Sequence, residues 1–359
     1  MHKLILPILL LFSAETSRAQ KSPRQLEKIG LRELQQAVSY IPVKEVRDQS
    51  IGGSERITLE GFYMGRTEVT NREYRAFVEF VRDSIANALL GRDGGQQIDW
   101  ADPRLGAMML PAGETLGGKI APDPTLIRYS VELPAGTKVV GIYPDTLVWV
   151  RDFPASLNET MTVKYFSQPA YDNYPVVGVS LEQAFAFCQW KTKLTRKALN
   201  RELSGKLDIR VSLPGFREWE AAASEGRDSV ILQNKNGNYL YNFGNIVDGN
   251  RITVKSYRDD GFFYTAPVMS YPAGAYQLYD MRGNVAEWTQ TPMEEVLQAE
   301  VRPSETRRTY VVKGGGWNSA PFELRAETNR FIPSGESHAH IGFRYMVQII
   351  SMPEGKPLP

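Results

Sequence analysis

Two stretches of this chain carry apolar residues at helical spacing. After Thr70-Asn71-Arg72-Glu73, which has the form of a capping box, Tyr74, Phe77, Val78, Val81, Ile85 and Leu89 fall three or four apart along one face. Ser180-Leu181-Glu182-Gln183 repeats the start signal, and Leu181, Ala184, Phe185 and Cys188 open a second helix that runs to about Leu203. Strands are expected at Ile57 to Met64 and at Arg210 to Leu213, the latter leading through Pro214 into a short helix, Phe216 to Ser224. Arg24 to Val38, behind Pro23, is a short amphipathic helix placed in an appendage of residues 20–39.

The segment from about 91 to 172 breaks this pattern. Gly, Pro and Asp punctuate short β-prone runs, among them Thr137 to Ile142 and Thr146 to Val150, so it reads as an insertion with little helix. Beyond Ser224 the chain is dominated by Gly, Asn, Asp and aromatic residues. Two principal helices, short strands and long ordered loops without an internal repeat predict an α+β, loop-rich domain over residues 40–350.

The first residues follow a different logic. Met-His-Lys precedes the apolar run Leu4 to Phe12, and Ser17-Arg18-Ala19 places small residues where a signal peptidase reads. Residues 1–19 are therefore expected to be a secretory signal and the protein to be exported. That run is too short for a bilayer that takes about 20 apolar residues to span, and no later stretch reaches that length, so no transmembrane segment is expected.

Composition then removes whole classes of chemistry. The 359 residues hold 42 Lys and Arg against 41 Asp and Glu, three His and one Cys. Loss of Lys3, Arg18 and Glu15 with the signal leaves no net charge, and nucleic acid is not an expected partner because backbone binding needs clustered positive charge. Lys191, Lys193, Arg196, Lys197 and Arg201 cluster on one helix, where a solvated face explains them. Disulfide frameworks and closed zinc sites are excluded. Cys188 shares an apolar helical face and is expected to be a buried, inert thiol. His338 and His340, two apart before Ile341-Gly342-Phe343-Arg344, could hold a metal with a carboxylate, but the sequence shows no third partner.

Three clusters in the C-terminal half carry candidate chemistry. One runs from Asn245-Ile246 to Asp259-Asp260-Gly261-Phe262, with oxygens at both ends of a short excursion. A second, Tyr279-Asp280-Met281-Arg282-Gly283-Asn284-Val285-Ala286-Glu287-Trp288, can either turn several oxygens toward one hard cation or form a tight turn bonded to its own backbone. The third, Val312-Lys313-Gly314-Gly315-Gly316-Trp317-Asn318-Ser319, lacks the Gly-Lys-Ser/Thr ending of a phosphate loop and reads as close backbone approach beside a tryptophan.

Taken in order, Thr67-Glu68-Val69-Thr70-Asn71-Arg72-Glu73-Tyr74, Pro175 to Ser180, Leu213-Pro214 with Glu218-Trp219-Glu220-Ala221-Ala222, Tyr279 to Trp288, Gly314-Gly315-Gly316-Trp317 and Gly342-Phe343-Arg344 resemble the formylglycine-generating enzyme (sulfatase-modifying factor) family over about residues 40–348. The resemblance implies the family's fold, a loop-rich α+β relative of C-type lectin domains. It implies structural calcium at two sites, one at Asn245, Ile246, Asp260 and Phe262, the other at Asp280, Gly283, Val285 and Glu287, several of them through backbone carbonyls. The family's copper-binding cysteine pair follows the glycine-tryptophan motif. Here that stretch is Asn318-Ser319-Ala320-Pro321-Phe322-Glu323-Leu324-Arg325, with Ser319 about where the first cysteine would stand, so no copper and no catalysis are expected.

A narrower resemblance rests on Phe77 to Ile85, Tyr143-Pro144-Asp145-Thr146 with Val148-Trp149-Val150-Arg151-Asp152-Phe153, and Pro169 to Pro175. These stretches are similar to the gliding-motility proteins GldK (PorK) and GldJ, periplasmic and outer-membrane-associated parts of type IX secretion. It implies a non-catalytic structural component whose partner is a GldN (PorN)-like ring subunit. Residues 1–22 contain no cysteine for a lipid anchor, so attachment to the outer membrane would be peripheral, through a partner. Two other functions fit the residues: an oxidoreductase with non-cysteine metal ligands, built on His338, His340 and a nearby carboxylate, or a lectin-like module using the aromatics from Tyr239 to Tyr279.

Overall fold

The computed structural model describes residues 36–47, 56–93, 97–111, 121–134, 136–153, 159–203, 208–224, 231–244, 246–248, 251–253, 261–297 and 308–351. The expected signal peptide and most of the expected N-terminal helix lie outside them. In chain order the strands are β1 (Val38–Ile41), β2 (Lys44–Arg47), β3 (Arg56–Leu59), β4 (Phe62–Gly65), β5 (Arg128–Leu133), β6 (Gly136–Gly141), β7 (Asp208–Ser212), β8 (Ile246–Asp248), β9 (Arg251–Thr253), β10 (Ala286–Pro292), β11 (Thr309–Lys313), β12 (Arg330–Pro333), β13 (Ile341–Gly342) and β14 (Met346–Ser351). The α-helices are α1 (Asn71–Leu89), α2 (Val148–Arg151), α3 (Glu159–Lys164), α4 (Leu181–Leu203), α5 (Phe216–Ala223) and α6 (Met293–Leu297).

Two four-stranded sheets organise the chain, one ordered β1-β4-β14-β7 and the other β12-β11-β10-β13. The first is antiparallel throughout, so the last described strand lies between β4 and β7. In the second, β13 runs parallel to β10, which brings the segment before Ile341 against the turn before Ala286. Three two-stranded ribbons, β2-β3, β5-β6 and β8-β9, complete the α+β architecture.

The two long helices follow their apolar stripes. Tyr74, Phe77, Val78 and Val81 of α1 meet Leu181, Ala184, Phe187 and Cys188 of α4 in one core that also takes in Trp288, Ile341 and Phe343. The Tyr74 ring stacks on Phe187 at 5.7 Å. Each of the larger aliphatic and aromatic side chains among them contributes about 1.5–3 kcal/mol by leaving water. The stripe of α1 runs out at Leu89, which is exposed.

The capping boxes differ. At α4 it is complete: Ser180 N–H donates to Gln183 and Gln183 N–H donates to Ser180 Oγ. At α1 only Thr70 Oγ1 accepts, from Glu73 N–H, because the Glu73 carboxylate turns away to buried Lys191. Lys191 is thereby a correction to the solvated basic face: its ammonium lies 4.5 Å from the Tyr345 ring centroid, inside the fold.

Three elements depart from the expectations. The single strand Ile57 to Met64 is two strands in different sheets, and the parity of the more buried positions shifts from Ile57 and Leu59 to Phe62 and Met64 at the break. Val38, expected to end a helix, opens β1 and pairs with Gly65. Thr146 to Val150 is no strand: Asp145 Oδ1 accepts from Leu147 N–H at 3.0 Å in a turn just before α2, which buries Trp149 against Tyr165 and Trp317. The insertion is thus bound to the domain at both ends, at Trp149 and where Ile98, Leu105 and Met108 cover Ala86 and Leu90 of α1.

Candidate functional site

The turn before β10 holds a buried charge cluster. Asp280, Gly283 and Asn284 all take positive φ, at 53°, 77° and 61°. Only glycine fits at 283, where a Cβ would lie 2.2 Å from the Asn242 carbonyl oxygen. Asn284 ties the turn to its surroundings, accepting from Ala266 N–H at 2.8 Å and donating to Glu68 Oε1 at 2.9 Å. Arg344 reaches in from the segment before β14. Its Nε lies 2.8 and 2.7 Å from the two oxygens of Glu287, and its Nη1 and Nη2 donate to the carbonyls of Gly65 and Tyr279. Trp219 Nε1–H donates to Glu287 Oε2 at 2.7 Å.

Three buried carboxylates, Glu68, Asp280 and Glu287, thus face one guanidinium. Glu68 Oε2 is buried without a hydrogen-bond partner. Burial, then the neighbouring Asp280, raises the Glu68 carboxyl well above the usual range. Burial also raises Asp280 to about 6, with Glu287 adding and the Met269 N–H and Arg344 opposing. An acidic excess of this kind calls for retained protons or a bound hard cation.

The turn therefore brings together Asp280 and Glu287, with Gly283 and Val285 between them. As donors they are hard oxygens of the type calcium takes. However, both Glu287 oxygens already accept from Arg344 or Trp219, so an ion here would share that carboxylate with the guanidinium. Glu68 was missed in the sequence, although an acid set between Thr67 and Val69 at the edge of an apolar pattern was the available signal. Of the other expected calcium set, Asn245 and Asp260 lie outside the described residues, Ile246 opens β8, and Phe262 is half-buried.

The glycine-tryptophan segment is a close-packed turn, as its composition implied. A Cβ at Gly316 would come 2.8 Å from the His340 carbonyl oxygen. Ser319 Oγ accepts from Gly316 N–H at 3.0 Å, and Trp317 Nε1–H donates to the Ala339 carbonyl at 3.0 Å. Ser319 is buried, its hydroxyl held inside the turn. Cys188 is buried in α4, and desolvation pushes its thiol further above the ordinary range, away from the reactive thiolate.

A third constellation adds the partner that the histidines lacked. Asp152 at the end of α2, His338 and His340 place one ligand atom each within 4.8 Å of the others. Asp152 Oδ2 accepts from Ala339 N–H at 2.8 Å, between the two histidines, and lies 3.4 Å from His338 Nδ1. The imidazole rings stand 5.2 Å apart. His340 is 8% exposed, and neither of its nitrogens has a hydrogen-bond partner. Burial, then His338 and Arg330, holds its pKa down at about 3, so the ring is neutral. Asp152 escaped sequence reasoning because it is 187 residues from Ala339 and sits inside the insertion.

Residues 30–349 match the sulfatase-modifying factor enzyme 1-like domain family. The chain is 24% identical over 321 residues to the mouse formylglycine-generating enzyme, covering 84% of this chain and 69% of the relative. It is 28% identical to the inactive C-alpha-formylglycine-generating enzyme 2 of Bos taurus, over 48% of this chain and 49% of that one. A 29% match to the serine/threonine-protein kinase Pkn1 of Chlamydia trachomatis covers 49% of this chain but only 25% of the kinase, so the chain spans about a quarter of that relative's length. Among solved structures, PvdO from Pseudomonas aeruginosa aligns with a TM-score of 0.47 at 16% identity, covering 87% of this chain and 94% of that one. The family thus contains proteins named as enzymes and proteins named as inactive. A match that runs from residue 30 to residue 349, through the turn at 279–288, the glycine-tryptophan segment and the Gly-Phe-Arg strand entry, shows that the chain belongs to the sulfatase-modifying factor enzyme 1-like family.

Proposed function

We propose that this protein is a non-catalytic scaffold, an exported, periplasmic component of the type IX secretion or gliding machinery that sits peripherally at the outer membrane and binds a GldN (PorN)-like ring subunit. The observation that carries the non-catalytic part is Ser319. At the position that the resemblance assigns to the first copper-binding cysteine stands a buried hydroxyl bonded to Gly316 N–H, and no cysteine occurs from 318 to 325. Soft thiolates select Cu(I), and a serine hydroxyl does not replace them. The assignment to secretion rests on the stretches similar to GldK and GldJ. Among the described residues no helix is long and apolar enough to cross a membrane.

Calcium is part of this reading, as a structural ion at the acid-rich turn. Asp280 and the carbonyls of Gly283 and Val285 would hold it, with Glu287 shared with Arg344. It would supply positive charge to a cluster in which three carboxylates meet one guanidinium, and would tie the turn to β10. Affinity capture from a native outer-membrane fraction tests the reading. Recovery of a ring subunit of the secretion machinery is the expected result, and recovery of none of its components counts against it.

A second reading, the divergent oxidoreductase, is favoured by one observation, the Asp152, His338 and His340 cluster. Oxygen uptake in the presence of a cysteine-containing peptide separates the two. The scaffold consumes none above a blank without protein.

A further inference from the structure

We propose that Asp152, His338 and His340 form a site for one divalent transition-metal ion that ties the insertion to the strand entry at Ile341. The ligand set is the first ground. Two imidazoles and one carboxylate suit zinc, cobalt, nickel, copper(II) or iron(II), whereas calcium and magnesium take oxygen ligands almost exclusively. The site is chemically distinct from the acid-rich turn before β10, which offers no nitrogen.

Geometry is the second ground. The three ligand atoms lie within 4.8 Å of one another. Bonds of roughly 2.0–2.2 Å to a common centre put ligand atoms some 3–4 Å apart, so the cluster needs to contract by about an ångström. Asp152 is already oriented by an outer hydrogen bond, from Ala339 N–H at 2.8 Å, as ligating carboxylates usually are. Its neighbour Arg151 donates to the Ser337 carbonyl, so the end of α2 is fastened to both sides of His338.

The third ground is independent of the cluster's composition. His340 is 8% exposed and both its ring nitrogens lack a partner, a rare condition for a buried polar group. A bound ion would supply the missing partner. His338, with its side chain 24% exposed, leaves a path for an ion to enter. Of the nearby charges, Arg151 is paired with Asp145 and also lies with its Nε 3.6 Å from Asp152 Oδ1, so an ion would share that carboxylate with it; Arg330 lies 3.5 Å from Glu323, and Glu336 Oε2 stands 3.4 Å from His338 Nε2. Three protein ligands leave coordination positions for water or a partner's side chain.

The test uses the full, untagged chain, stripped with a chelator and returned to excess calcium so that oxygen sites are filled. Zn²⁺ is titrated by calorimetry, and Co²⁺ by its visible absorption, whose intensity reports nitrogen ligation and low coordination number. One equivalent of each is expected. Asp152→Asn, His338→Ala and His340→Asn should each weaken Zn²⁺ binding at least about tenfold, while Glu182→Gln, in the first turn of α4 with its carboxylate paired to Lys138 of β6, should leave it unchanged. His338 is partly exposed, so His338→Ala decides the matter even if the variant at His340 fails to fold, with circular dichroism checking each. No binding of Zn²⁺, or equal binding by the wild type and His338→Ala, overturns the proposal. Neither result bears on the scaffold, whose test is the recovery of its partner.

Discussion

Two polar clusters in this chain are built on opposite terms. Around Arg344 every guanidinium nitrogen is bonded and Glu287 uses both oxygens, yet charge is out of balance, with three acids to one base. Around His340 the ring is neutral, yet the hydrogen bonds are missing. The first cluster joins β4, the turn before β10 and β14, elements distant in sequence, so it is part of what makes the fold unique. The second joins an insertion to a loop. Complete bonding marks a group the fold depends on, and an unbonded buried nitrogen marks one available to a ligand.

Breaking the first cluster should have the largest effect. Arg344→Ala leaves Glu287, Glu68 and Asp280 buried without a counter-charge, and a loss of about 3–5 kcal/mol is expected, read as the shift in the urea midpoint at constant slope. Arg344→Lys should recover only part of it, because an ammonium cannot reach the Glu287 oxygens and the carbonyls of Gly65 and Tyr279 in one plane. If Arg344→Ala is as stable as the wild type, the cluster is not the keystone assigned to it. Next comes Gly283→Ala, which sets a methyl 2.2 Å from a backbone carbonyl at positive φ. A loss of about 2 kcal/mol or more is expected in the same measurement.

The charge imbalance itself is read through pH. In the folded chain Asp280 is raised to about 6 from its ordinary 3.8, so folded protein holds a proton that unfolded protein has already lost. That contribution is fully present below the unfolded value and is lost as pH rises through about 6. With a chelator present, stability should therefore fall between pH 4 and pH 6 by an amount on the order of 1–3 kcal/mol, against the usual trend for paired carboxylates. Calcium in excess should flatten this slope, since an ion at the turn replaces the proton. An identical slope with and without calcium removes calcium from the turn and leaves protonation as the way the acids are balanced.

How much of this was legible in the sequence follows the range of each interaction. The stripes at Tyr74–Val81 and Leu181–Cys188 and the box at Ser180 are local patterns, and the helices they imply formed. Thr146 to Val150 reads as β by propensity, but the aspartate turn at Asp145 and the partners of Trp149 at Tyr165 and Trp317 made it helical, and no local window contains those two partners. Lys191 looked like one of five solvated cations until the fold brought Glu73 to it. The turn at 279–288 was visible as a polar, glycine-centred run, while its guanidinium and its third acid, Glu68, were not. Asp152 was invisible as a partner for the same reason, since only the packing of α2 against Trp317 carries it to the histidines.

The smallest expected effect is also the sharpest contrast with Arg344. A buried imidazole without partners pays for its desolvation and receives no bond in return, so an apolar side chain of similar size should be no worse in metal-free protein. His340→Leu is expected to be neutral or to stabilise the chelated chain by about 0.5–1 kcal/mol, measured by thermal unfolding. The wild type should gain stability when Zn²⁺ is added, through selective binding to the folded state, and His340→Leu should gain none. Polar-to-apolar replacement would then have opposite signs at two buried sites of one protein, harmful where every nitrogen is bonded and harmless where none is. A clear loss of stability in chelated His340→Leu would mean that His340 has a structural role its orphaned nitrogens do not reveal, and the contrast between the two clusters would fail.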